Sequence, residues 1–150
     1  MEPAATLVGL GPDFDQSLRL ILEHFHADIG TIHTLGPDGL LHLRAHTAGI
    51  PEPVLAATRI IPIGKGMAGL AVERRQPVNL CNLQRNKSGD AKPGAQATGA
   101  MGSLCVPIMA GERALGALGI ASLRERTFTD AEVAALLEAG RTLARFHSTT

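Results

Sequence analysis

Aromatic side chains are scarce in this chain: four phenylalanines, no tryptophan and no tyrosine. A base-stacking platform for single-stranded nucleic acid lacks its usual residues. Charge bias is also missing, because 14 Lys and Arg balance 14 Asp and Glu. Nothing therefore draws the whole surface to nucleic acid or to an anionic membrane. Cysteine appears twice, at Cys81 and Cys105, too few for a disulfide scaffold, and a reduced cytoplasmic setting is the default. No run of about 18 apolar residues exists to span a bilayer. The first residues, MEPAATLVGLGPDFD, have no basic stretch before an apolar core, so they do not read as a signal peptide. The Met start reads as that of a complete small protein.

What is present suits one globular domain. A chain of 150 residues with a hydrophobic fraction of 45% can bury a core without disulfides or metals. Residues 1–12 read as a loose lead-in, and 13–150 as the domain. Asp13 or Asp15 can cap a helix running to about His26. Its positions Phe14, Leu18, Ile21, Leu22 and Phe25 form one apolar face. IGTIHTL and LLHLRAH flank Gly36-Pro37-Asp38-Gly39 as a hairpin. Pairing Leu35 with Leu40 would set His33 against His42, with Ile32 and Leu43 on the other side. A proline-containing stretch, 47–58, admits a helical turn. Then comes RIIPIGKGMAGLAVERRQPV, an extended run, a Gly64-Lys65-Gly66 turn and a short helix, followed by a short strand to Cys81. Residues 82–102 are polar and glycine-rich and read as a lid. SLCVPIM and ALGALGIAS make a second hairpin around residues 110–113. Thr129 and Glu132 form a capping-box signature ahead of a closing helix. Gly140 inside it signals close packing. The order describes an α+β domain: an antiparallel sheet with the terminal helices on one face and the irregular middle over the other.

Several residues have a chemical reading beside a plain one. The Gly-Lys-Gly turn ahead of a helix suits a phosphate, but it lacks the P-loop spacing. The preferred reading is a turn that launches a packing helix, with Lys65 solvated. His33 and His42, with His46, suggest a metal, yet no carboxylate stands at a supporting spacing, and no metal site is assigned. His24 and His26 suit the terminal carbonyls of the first helix. Cys105 reads as a buried small hydrophobe or as a thiol lining a cavity. Ser103 has no identifiable His–acid pair, so no catalytic residue is assigned. Arg85, Lys87 and Lys92 make the lid basic, either solvated or a clamp for an anion.

The motifs ADIGTIHTL, GPDG, IPIGKGMAGLAVERRQPV, GSLCVPIMAGERALGALGIAS and RTFTDAEVAALLEAGRTLA together resemble a GAF domain, the small-molecule-sensing relative of the PAS fold, over roughly residues 13–147. The resemblance implies a GAF/PAS-like sheet with a loop-covered ligand pocket. Its enzyme branch, the free methionine-R-sulfoxide reductases, would place cysteines near Ala68 and Gln96, and acidic residues near Ser103, Gly119 and Ala121. None of these positions matches. Asn86-Lys87 opens like the cyclic-nucleotide signature but continues Ser-Gly-Asp, and no chromophore-attachment context is found. The resemblance thus implies a sensory or regulatory domain without catalysis of its own, a reductase-like redox enzyme or a ligand-free dimerisation module being the alternatives. Ligand-binding positions implied are Met67, Leu70, Cys81, Asn82, Ser103, Cys105, Ala117, Gly119 and Ala121. The ligand is an unidentified small molecule and the cofactor is unknown. A homodimer through the terminal helices and a signalling protein partner are expected, without nucleic acid or membrane.

Overall fold

The computed structural model describes residues 10–11, 13–80 and 101–147. Among them the chain forms, in order, α1 (Phe14–Phe25), β1 (Ile29–Leu35), β2 (Leu40–His46), α2 (Glu52–Thr58), β3 (Ile60–Pro62), α3 (Gly66–Arg74), β4 (Val78–Leu80), β5 (Ser103–Ala110), β6 (Arg113–Ala121) and α4 (Asp130–His147). The six strands make one sheet in the order β3-β2-β1-β6-β5-β4, and every neighbouring pair is antiparallel. This is the α+β arrangement expected from the order of elements.

The sheet separates two apolar layers. Alternation sends Ile32, Leu104, Val106, Ile108, Leu118 and Ile120 to one face, where they meet α1 and α4. Helix α1 begins where Asp13 accepts a hydrogen bond from the Gln16 N–H at 3.1 Å, which settles the choice of cap. Its predicted apolar stripe is buried through Leu18, Ile21, Leu22 and Phe25. His26 closes the helix through its backbone rather than its ring: it adopts φ 52°, and the Ala27 N–H reaches the Leu22 carbonyl at 3.0 Å. The capping box of α4 forms as expected, with the Thr129 N–H donating to Glu132 Oε1 at 3.0 Å and the Glu132 N–H to Thr129 Oγ1 at 3.1 Å. Gly140 faces β5, where a Cβ would make ordinary contact at 3.4 Å with the Pro107 carbonyl oxygen, so the packing of α4 does not require glycine there.

The first hairpin differs from expectation by one residue. Leu35 pairs with Leu41, not Leu40, and His33 with Leu43, not His42. The Gly36 N–H bonds the Leu40 carbonyl at 2.8 Å, so the loop has three residues, and Gly39 takes the left-handed conformation at φ 78° that such a loop requires. A slip of one residue inverts every side chain. Leu43 therefore shares a face with His33, and His42 lies on the other face opposite Thr34. A bulge follows, with Arg44 the extra residue before Ala45 rejoins Ile32. The second hairpin turns tightly between Ala110 and Arg113 as expected, with Gly111 at φ 62°.

The central joint is β1 against β6, Ile29↔Ala121 through Thr34↔Gly116. At Gly116 a Cβ would collide with the His33 carbonyl oxygen. Gly116→Ala is therefore expected to destabilise the domain by about 1–3 kcal/mol, as overpacking does in a tight interior. Chemical denaturation should show a lower midpoint at unchanged slope.

Candidate functional site

The face of the sheet away from α1 and α4 is built from two kinds of element. Helix α3 covers one part, burying Ala71 and Val72 against Leu41, Val78, Cys105 and Ala117, with Met67, Ala68 and Leu70 packed at the margin. The helix is positioned by the Gly64-Lys65-Gly66 turn, and here the plain reading holds. The Gly64 N–H is bonded to the Gly69 carbonyl at 2.9 Å, the Lys65 N–H to the Pro62 carbonyl at 3.2 Å and the Gly69 N–H to the Lys65 carbonyl at 3.1 Å. These bonds tie the turn to the end of β3 and the first turn of α3. Lys65 is exposed.

The remaining part is a wall of small side chains. Strand registers set them in rows: His33, Ala117 and Pro107; Thr31, Gly119 and Cys105; Ala121 and Ser103. Five predicted positions, Ser103, Cys105, Ala117, Gly119 and Ala121, thus share one face, and Met67 and Leu70 join it from α3. Cys81 and Asn82, with the lid residues through 100, lie outside the described residues. The last two lid residues are tied down: Met101 donates to the Ser122 carbonyl at 2.8 Å, and Gly102 to that of Arg124 at 3.1 Å.

In the middle of this wall Gly119 leaves a notch. Among the described residues, a Cβ placed there would meet Thr31 Oγ1 at 3.3 Å and Cys105 Sγ at 3.7 Å. No carboxylate or cation stands in these rows, whose polar groups are Thr31, His33, Ser103 and Cys105. The Ser103 hydroxyl is directed at the Ile120 carbonyl at 3.5 Å. Burial pushes the Cys105 thiol up to about 12, so the sulfur is a protonated, unreactive wall atom. Thr31 and His33 were not among the predicted site residues. Carrying the alternation of β6 across to β1 would have found them, but that step needs the β1–β6 register, which no local signal reveals.

His33 is 2% exposed. Its Nε2 lies 2.8 Å from the Thr58 carbonyl oxygen, and among the described residues Nδ1 is buried without a hydrogen-bond partner. The other histidines do not join it. His42 contacts Asp38 at 2.9 Å, and this bond holds the Asp38 carboxyl below its usual value. His46 Nδ1 lies 2.9 Å from the Thr47 carbonyl. An open groove elsewhere, between α1 and the end of β2, is lined by Arg19, Glu23, His26, Asp28 and His46. No wall residue borders it.

Comparison with known proteins places the whole arrangement. The GAF domain family profile matches residues 14–146, and the chain belongs to the GAF domain family. The GAF domain of a phosphoenolpyruvate-protein phosphotransferase from Coxiella burnetii superimposes with a TM-score of 0.76 at 24% identity, over 99% of this chain and 94% of that one. The corresponding Acinetobacter domain gives 0.76 at 19% identity, over 98% and 96%. A free methionine-R-sulfoxide reductase from Neisseria meningitidis, solved with its substrate, gives 0.74 at 18% identity, over 98% and 85%. Among proteins of curated function none matches significantly. At these identities the structural likeness fixes the fold, a fold that is typically ligand-binding or regulatory.

Burial lowers the pKa of His33 from its ordinary 6.5 and outweighs the bond to Thr58, which raises it. The folded state therefore resists protonation while the unfolded chain accepts it. Stability contributed by neutral His33 is complete above 6.5 and declines as pH falls from that value towards the lower folded pKa. His33→Gln should flatten the pH dependence of the urea midpoint in this window.

Proposed function

We propose that this chain is a small-molecule-binding regulatory GAF domain with no catalysis of its own, working in a reduced, cytoplasmic setting. The observation that carries the reading is the Gly119 notch, bordered by Thr31 Oγ1 and Cys105 Sγ within a wall of small, uncharged residues. Such a surface offers a ligand weakly polar contacts. Met67 and Leu70 supply an adaptable apolar side. A free amino acid, with its ammonium and carboxylate, would lose hydration here without gaining countercharges from the described wall residues. Thiol chemistry at Cys105 is opposed by the burial that keeps it protonated. Both points favour binding over the reductase reaction.

The proposed output is a homodimer contact through α1 and α4, whose equilibrium the ligand biases, with a signalling protein as a further partner. Most of both apolar stripes is buried against the sheet, and the half-buried Leu20, Val133 and Leu137 at the edge of this core are the residues left for a second copy. Light scattering should give a dimer mass at micromolar concentration; a monomer throughout the accessible range removes this output.

Filling the notch tests the binding reading. Gly119→Ala should fold normally, because its methyl group meets ordinary or slightly tight contacts. Gly119→Val should fill the notch. In a thermal-shift screen of neutral small molecules, a hit at 100 times its Kd should stabilise the wild type by about 2.7 kcal/mol and leave Gly119→Val unshifted. Hits that stabilise both proteins equally would place binding away from the notch and remove it from the reading; a screen without hits would support the ligand-free module instead.

A further inference from the structure

Resting on the wall as the binding surface, we propose that His33 Nδ1 is its polar anchor, accepting a hydrogen bond from a neutral N–H or O–H group of the bound molecule.

The tautomer follows from the partners. The Thr58 carbonyl oxygen can only accept, so Nε2, at 2.8 Å, carries the hydrogen. In a neutral ring this leaves Nδ1 with a lone pair directed away from Thr58. Thr58 offers no donor in exchange, because its hydroxyl is bonded to the Val54 carbonyl at 2.9 Å. The acceptor is therefore buried and without a partner among the described residues. Buried polar atoms are overwhelmingly paired, and an exception calls for a partner that the described residues do not provide. Placement points the same way. His33 stands beside Ala117 on β6, one row from the Thr31–Gly119 pair, and so lies on the face that carries the wall.

The chemistry of the occupant follows from that lone pair. A carboxylate presents a second acceptor and is repelled. An ammonium group could donate, but no carboxylate stands in the wall to balance its charge. A primary amide, an alcohol or a ring N–H attached to an apolar body satisfies Nδ1 while packing on Met67 and the small residues.

Benzamide and acetophenone test this directly. They have nearly the same shape and differ by an NH₂ group in place of a CH₃ group. In amide-resolved NMR titrations of the wild type, benzamide should perturb Thr31, Ala117 and Gly119 and bind about tenfold more tightly than acetophenone, the worth of one neutral hydrogen bond. The Nδ1 nitrogen resonance of His33 should move with benzamide and not with acetophenone, a readout that needs no variant to fold. His33→Phe keeps a ring of similar size and removes both nitrogens, so the two affinities should become equal. Equal affinities in the wild type, or a preference that persists in a folded His33→Phe, would overturn the anchor. If both probes then still perturb the wall, and Gly119→Val blocks both, the wall reading stands without His33. If neither probe perturbs the wall up to its solubility limit, both readings fall.

Discussion

The pairing of β1 with β6 is the constraint on which the rest depends. It joins the N-terminal hairpin to the C-terminal one, and its register decides what each face of the sheet carries. With Ile32 opposite Leu118, both enter the layer under α1 and α4; with His33 opposite Ala117 and Thr31 opposite Gly119, those residues form the wall. A slip of β1 by one position would put His33 into the helix layer and leave Ile32 on the wall. Gly116 helps hold the register, because only a residue without a Cβ fits against the His33 carbonyl. Structure and site therefore share one determinant, and strands distant in sequence must meet before either exists.

The two layers divide the work. The layer under the terminal helices is filled with large side chains, among them Ile21, Leu118, Phe128, Leu136 and Leu143, each almost fully buried. Burying a side chain of that size contributes about 1.5–3 kcal/mol, so this layer supplies most of the apolar stabilisation. The opposite layer is a smaller cluster under α3, with Leu41, Val72 and Val78, and its β5 and β6 rows carry alanine, glycine, serine and cysteine, which bury little area. Helix α3 supports that layer from one side. It is held by the Gly64-Lys65-Gly66 turn and by Gly69, where a Cβ would come within 2.6 Å of the Pro62 carbonyl oxygen. A domain that builds stability on one face can tolerate small side chains on the other.

The sequence made local features legible and left non-local ones hidden. The Thr129–Glu132 capping box, the Asp13 cap, the hairpin at 110–113 and the small-residue face of β5 and β6 all depend on neighbours within a few residues, and each appears as read. The first hairpin does not, because GPDG allows loops of different length, and only the Gly36–Leu40 bond and the left-handed Gly39 fix the choice. The same slip removed the proposed facing of His33 and His42. His33 itself was weighed as a metal ligand, whereas its distinguishing feature is one occupied nitrogen and one empty one. That asymmetry arises from Thr58, a contact no pattern of spacing predicts. Cys81 and Asn82 lie outside the described residues and stay as sequence-based expectations.

The central claim is that the wall holds a neutral, donor-bearing small molecule. Native mass spectrometry of the chain as purified, followed by extraction and identification of anything released, tests it most directly. The account predicts a complex heavier than the 15.7 kDa chain, carrying a molecule with an amide, hydroxyl or ring N–H and no carboxylate, absent from Gly119→Val. A bound zwitterionic amino acid, retained equally by Gly119→Val, would contradict it.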